Sequence, residues 1–204
     1  MLFSNCIQYI HVGADSREYC DGFVTVYKQA FGGPPYNEVY TDEEVRGDAW
    51  LPHLQNGVVA LAMSAKKVVG FGCALPVKYA SEDIQAYLVG ARNSGASIPE
   101  ISDMWYFSEL GVLNNHRRKG IGTRLIGQIL AKILLIGDSY YVMRTAATGS
   151  NSRRIFESIG SDVIPGVQDV SETGQVQINK SQSTERMYLY GRCAHGLAKI
   201  FLRQ

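Results

Sequence analysis

Glu109 to Ile126 is the stretch of this chain whose residue types and spacing could do chemistry. An apolar strand, Trp105–Val112, carries one carboxylate, Glu109. Leu113 and three polar residues follow, then a basic glycine-containing turn, Arg117 to Gly122, and then a helix of clear amphipathic period. Backbone N–H groups at a helix start, freed by Gly120 and Gly122 and backed by Arg117, Arg118 and Lys119, make a cradle for phosphate oxygens. A diphosphate site and an acid/base group on one strand–loop–helix unit point to chemistry on a nucleotide-tailed cofactor. The alternative for the same residues is a tight turn with a solvated basic face. Other phosphate motifs do not fit. There is no Gly-x-x-x-x-Gly-Lys-Ser/Thr, and the third position of a dinucleotide fingerprint after Gly120 and Gly122 is Leu125.

The segment resembles the acyl-CoA-binding signature of the GNAT superfamily of N-acetyltransferases, Arg/Gln-x-x-Gly-x-Gly/Ala. Here it reads Arg117, Gly120 and Gly122, preceded by Leu110 and Val112. A second segment follows in order: strand Ser139–Thr145 leads to Asn151–Gly160, similar to the family's Asn…Tyr-Glu-x-Leu-Gly-Phe helix. With the N-terminal layout, the resemblance spans roughly residues 6–190. It implies an α+β fold: one domain over 1–204, with a mixed, mostly antiparallel central sheet flanked by helices. The fourth and fifth strands of that sheet splay apart to admit the pantetheine arm. It also implies direct transfer of an acetyl group from acetyl-CoA, as co-substrate, to an amine.

An alkyl ammonium, with a pKa of about 10.4, cannot attack while protonated; the site must desolvate it or take its proton, and a carboxylate near the thioester, directly or through water, can do so. The resemblance puts Glu109 in that role; the plain alternative is a solvent-facing or ion-paired carboxylate. Gly111 suits either a strand bulge that frees an N–H for the developing oxyanion or an ordinary strand position. By the resemblance, Leu110, Gly111 and Val112 border the pantetheine, Arg117, Arg118, Lys119, Gly120, Ile121, Gly122 and Thr123 hold the diphosphate, and Asn151 bonds the arm. Arg153 and Arg154 either approach the adenosine 3′-phosphate or form a solvated helix face. Many relatives protonate the leaving thiolate with a tyrosine; this chain has Phe156 there. Ser150, Ser152, Tyr140 or Tyr141 would substitute, or the thiolate leaves unprotonated.

The acceptor side is the loop Phe31–Thr41. Phe31, Tyr36, Glu38 and Tyr40 suit a small organic cation through cation–π contact and charge pairing, or else decorate the surface near a helix start. Protein lysines or N-terminal amines are the other acceptors, and a CoA-sensing domain without turnover is the other function.

The elements that must position these residues read as follows. Cys6–Val12 alternates as a first strand. Asp15-x-x-Glu18 and Thr41-x-x-Glu44 look like capping boxes, opening helices to about Ala30 and Gln55. Val58–Ser64 and Val68–Val77 form a hairpin about Ala65–Lys67. Residues 78–102 read as an insertion, with a helix over Ser81–Ala91 and a loop over Arg92–Pro99. Strand Trp105–Val112, helix Gly120–Ile136, strand Ser139–Thr145 and helix Asn151–Ile159 follow. Glu185–Gly191 is a last strand, extended by a hairpin from Val176–Ile178, and residues 194–203 form a tail helix.

Composition adds limits. The chain has 204 residues, 46% hydrophobic and 19% charged, with a net charge of +1. That gives no global bias toward nucleic acid or membrane. No basic n-region marks a signal peptide, and Arg124, Gln128 and Lys132 argue against the most apolar helix spanning a bilayer. Cys6, Cys20, Cys73 and Cys193 lack Cys-x-x-Cys spacing and read as thiols in a reducing cytosol, hence a cytoplasmic protein. His11, His53, His116 and His195 lie far apart, so no metal is expected. Pairing of last strands between two copies is one route to a homodimer.

Overall fold

The computed structural model describes residues 6–33, 38–148, 150–170 and 185–202. Seven strands form one sheet in the order β1-β2-β3-β4-β5-β7-β6. They are β1 (Gln8–Val12), β2 (Val58–Ser64), β3 (Lys67–Pro76), β4 (Met104–Val112), β5 (Tyr140–Ala146), β6 (Asp162–Asp169) and β7 (Glu185–Arg192). Pairing is antiparallel for β1/β2, β5/β7 and β6/β7, and parallel for β4/β5. The parallel ladder joins Met104–Phe107 to Tyr140–Met143.

By contact density the chain divides into two compact units. One runs to Cys73 and includes Glu109–Ile129; the other holds Ala74–Ser108 and the residues from Leu130 onward. The boundary passes within β3, β4 and the helix α5 (Ile121–Ile136) rather than through a linker.

In the first unit, helix α1 (Cys20–Phe31) buries Phe23 and Tyr27, and Phe23 meets Trp50 and Phe71 at ring distances of 4.9 and 4.6 Å. Every residue of β2 is buried, which is why it reads as one unbroken apolar run rather than an alternation. Its turn into β3 places Ala65 and Lys66 at φ of 46° and 64°. Two consecutive left-handed residues are what a two-residue hairpin needs to match strand twist, here without Asn or Gly.

The second capping box forms: Glu44 N donates to Thr41 Oγ1 at 3.2 Å and Thr41 N to Glu44 Oε2 at 2.7 Å. Helix α2 (Asp42–Glu44) then widens into a π-turn, Val45–Trp50, which buries Val45, Ala49 and Trp50 before α3 (Leu51–Asn56). The first box does not form. Ser16 instead closes a turn onto Gly13, and the chain enters α1 through a 3-10 turn, Arg17–Tyr19.

In the second unit, α4 (Glu82–Asn93) is part of the core rather than an appendage. Ile84 and Leu88 join Leu75, Met104, Tyr106, Val142 and Tyr188, and Tyr87 stacks on Tyr188 at 4.3 Å. Asp83 on α4 pairs with Arg144 on β5 at 2.6 Å, both largely buried. Helices α6 (Asn151–Ser158) and α7 (Cys193–Phe201) complete it.

Strand β6 corrects the sequence reading, which left 162–169 unassigned. The strand sits at the end of the sheet order, carries Pro165 and Gly166, and shifts register between Ile164 and Gln168. Those residues look like a loop in sequence and are tolerated at an edge. The expected hairpin partner Val176–Ile178 lies outside the described residues.

Candidate active site

Glu109 is half-buried on β4, and its neighbours come from α1, β3 and the loop before α2. Its charge reaches the phenols of Tyr27 and Tyr40 and the thiol of Cys73. Burial first, and that carboxylate next for Tyr27 and Cys73, push both groups well above their ordinary values. Tyr40 is pushed up by burial, by Glu38 and by Glu109. Its hydroxyl donates to Glu38 Oε2 at 2.8 Å. Phe31 lies 4.7 Å from Tyr27 and 6.3 Å from Phe71, ring to ring. Three of the four expected acceptor residues, Phe31, Glu38 and Tyr40, thus belong to the cluster around Glu109. Tyr36 lies outside the described residues.

Side chains alternate regularly over Glu109–Val112. Gly111 faces Phe71 and Ala30, while Leu110 and Val112 face Gly72 and Gly70 of β3. Leu113 N continues the β3 ladder onto Val69 O at 3.0 Å. Gly111 is therefore not marked as a bulge: a Cβ there would lie 2.5 Å from the Phe71 ring, so the glycine makes room for the core beneath Glu109.

After β4, a 3-10 turn (Asn114–His116) leads to Arg117. Arg118 (φ 61°) and Gly120 (φ 74°) are both left-handed, and alternating handedness turns successive N–H groups toward one concavity at the start of α5. A Cβ on Gly120 would meet nothing within 4 Å, so the concavity is open. The individual residues divide by role. Arg117 is exposed but tied down: Nε donates to Val112 O at 3.0 Å and Nη2 to Ala30 O at 3.4 Å, strapping the loop to β4 and α1. Lys119 Nζ donates to Asn115 O at 3.0 Å. Ile121 is buried and offers only its backbone. Arg118 and Gly120 are exposed, with Gly122 and Thr123 half-buried. A separate groove of about 670 Å³ beside α1 is lined by Ser64, Lys66, Lys67, Asn115 and His116 among others, not by Glu109.

In the second unit Asn151 is exposed at the first position of α6. Ser150 caps that helix, accepting from Arg153 N at 3.2 Å, and joins Ser152 (2.8 Å) and Thr145 in a hydroxyl cluster. Arg153 pairs with Glu157 at 2.7 Å and donates to Ala147 O at 3.2 Å; Arg154 is exposed. Phe156 is buried against Phe107 and Tyr141 at 5.3 and 5.7 Å. Tyr141 shares a hydrogen bond with Ser161 at 2.7 Å, and its phenol is pushed up to about 12 by burial.

A family model described as FR47-like protein matches residues 101–169, the stretch from β4 to β6. No curated protein sequence matches the chain. Solved structures do. A ribosomal-protein-alanine N-acetyltransferase from Brucella melitensis superposes with a TM-score of 0.63 at 13% identity, covering 91% of this chain and 99% of its own. The putative acetyltransferase yncA from Salmonella typhimurium, solved with its cofactor acetyl-CoA, gives 0.61 at 15%, covering 91% and 94%. An aminoglycoside 6′-acetyltransferase type Ii gives 0.59 at 13%, covering 91% and 97%.

The chain has the GNAT fold. Within that fold Glu109 lies on β4, and Arg117–Gly120 lead into α5, which begins at Ile121. Sequence reading missed Tyr27 and Cys73. Tyr27 falls on the apolar stripe of α1 and Cys73 inside an apolar strand, so both read as core. The one available signal was Tyr27 and Phe31 at i, i+4, a spacing that puts two aromatics on one helix face.

Proposed function

We propose that this protein is an acyl-CoA-dependent N-acyltransferase, moving an acetyl group from acetyl-CoA to a primary amine, with a small cationic molecule as acceptor. The observation that carries the reading is Glu109 lying on β4 directly before an open loop with two left-handed residues at the N-terminus of α5. The residues fit the co-substrate: backbone N–H groups of Arg118–Thr123 take the diphosphate, helped by the α5 dipole. The backbone of Leu110 and Val112 holds the pantetheine arm. Arg117 keeps the loop in shape rather than touching phosphate.

Acetyl-CoA supplies an activated acyl carbon. Glu109 takes the proton of the arriving ammonium so that its nitrogen can attack. The thiolate leaves without a dedicated side-chain acid, since a thiol pKa near 8.5 makes that step cheap and Phe156 and Tyr141 are committed to the core. The aromatic walls of Phe31 and Tyr40 and the carboxylate of Glu38 favour a cationic acceptor over a neutral one.

The experiment is CoA release from acetyl-CoA against a panel of amines. Glu109→Gln should cut turnover by roughly 10²-fold or more, as for loss of a general base, with thermal stabilisation by CoA retained. Near-wild-type turnover with an unchanged pH profile would remove Glu109 from the mechanism.

A further inference from the structure

We infer that Arg117 is a positioning residue for the amine side of the reaction, and that losing it weakens acceptor binding rather than acetyl-CoA binding. The inference rests on the acyl-transfer reading above and gives a different task to the residue that the sequence motif places on the diphosphate.

Two missing donors are the starting point. Helix α1 ends at Phe31, and the last carbonyls of a helix have no partners within it. One more turn would pair Ala30 O with the N–H of residue 34 and Phe31 O with that of residue 35. Both positions are prolines, Pro34 and Pro35, and a proline has no N–H to give. The fold supplies both donors from elsewhere. Arg117 Nη2 donates to Ala30 O at 3.4 Å, and Glu38 N donates to Phe31 O at 3.0 Å. A guanidinium at that end of α1 also suits the negative pole of the helix.

Those two bonds fix the base of the acceptor loop. Phe31 is one wall of the proposed acceptor site, and Glu38, whose Oε2 accepts from the Tyr40 hydroxyl at 2.8 Å, is its carboxylate. Ala30 is buried and packs over β4, where a Cβ on Gly111 would lie 3.0 Å from its own. The same guanidinium, through Nε, holds Val112 O of β4 at 3.0 Å. One planar group thus sets the end of α1 against the strand that carries Glu109. Both contacts come from a rigid fork of N–H donors. A lysine ammonium is a single point on a flexible stem and does not reproduce that fork.

The test follows CoA release by Arg117→Lys and Arg117→Ala in the full chain, with separate KM values for acetyl-CoA and for the panel amine of highest turnover. Melting curves with and without CoA check folding, and the lysine variant serves where the alanine variant does not fold. Both variants should raise the amine KM by about tenfold, the size of one lost charge-assisted hydrogen bond, with the acetyl-CoA KM unchanged. A low concentration of guanidinium chloride added to Arg117→Ala should bring the amine KM back toward wild type, a recovery that a role in folding alone does not predict. An arginine acting on phosphate gives the opposite split: the acetyl-CoA KM rises in Arg117→Ala, lysine recovers it through its charge, and the amine KM stays put. That result overturns the inference. So do two unchanged KM values, two that rise together, or no recovery with guanidinium. Wild-type protein that releases no CoA with any amine sinks the acyl-transfer reading and the inference with it.

Discussion

Glu109 and Gly111 sit two residues apart on one strand face and depend on each other through Phe71. The ring fills the space a side chain at 111 would need, and it also packs on Tyr27 at 5.6 Å, beside the carboxylate. Gly111→Ala is expected to destabilise the protein by about 1–3 kcal/mol, as overpacking does in a close-packed core. Its urea midpoint should fall with the m-value unchanged, and turnover should fall with it because Phe71 has to move. An unchanged midpoint would mean the strand gives way at no cost. Arg117 teaches a related lesson: the first residue of the family motif has its guanidinium on two backbone carbonyls, so its contribution is to loop shape.

Among the elements, the β2–β3 hairpin carries local strain. Lys66 is held at φ 64° by the two-residue turn, a conformation that costs an L-residue roughly 1–2 kcal/mol. Lys66→Gly relieves it at some entropic cost in the unfolded chain, so a gain of about 1 kcal/mol or less is expected, read as a higher thermal midpoint. A lower midpoint would show that the lysine side chain contributes more than its backbone costs. Helix α4 shows the reverse case. Its amphipathic signal is modest in sequence, yet Ile84, Leu88, Tyr87 and Asp83 tie it to β5, β7 and their neighbours.

At the scale of the whole molecule, pH should act through groups buried in one protonation state. His53 is 3% exposed, and burial lowers its pKa below 6.5, partly offset by its bond to Ala49 O. The unfolded chain therefore takes up a proton near pH 6.5 that the folded chain resists. The associated stability is complete above that pH and erodes as pH falls toward the lower folded value. Asp83 adds a second window. Burial raises its pKa, but Ser81 and Arg144 outweigh burial and the net value lies below 3.8, so that contribution is lost only in stronger acid. Urea midpoints at pH 7.5 and 5.5 should differ in wild type, and His53→Gln should shrink the difference; an equal slope in both would exclude His53. Among the described residues, no helix is long and apolar enough to cross a membrane.

Read alone, the sequence determined what local chemistry can determine. The helix start at Thr41 follows from a reciprocal side-chain bond, α5 from a 3.6-residue apolar period, and the turn before α5 from glycines beside basic residues. Each of those signals lies within a few positions of the feature it specifies. Tertiary structure decided the rest. It made 162–169 a strand by giving an edge position to a Pro-Gly segment, and it left the Asp15–Glu18 pattern without its capping box. It drew α4 into the core, tied Arg117 to two backbone carbonyls, and set Tyr27 and Tyr40 beside Glu109. Burial, edge position and hydrogen-bond direction depend on residues distant along the chain, and no short stretch of sequence records which neighbours folding will supply.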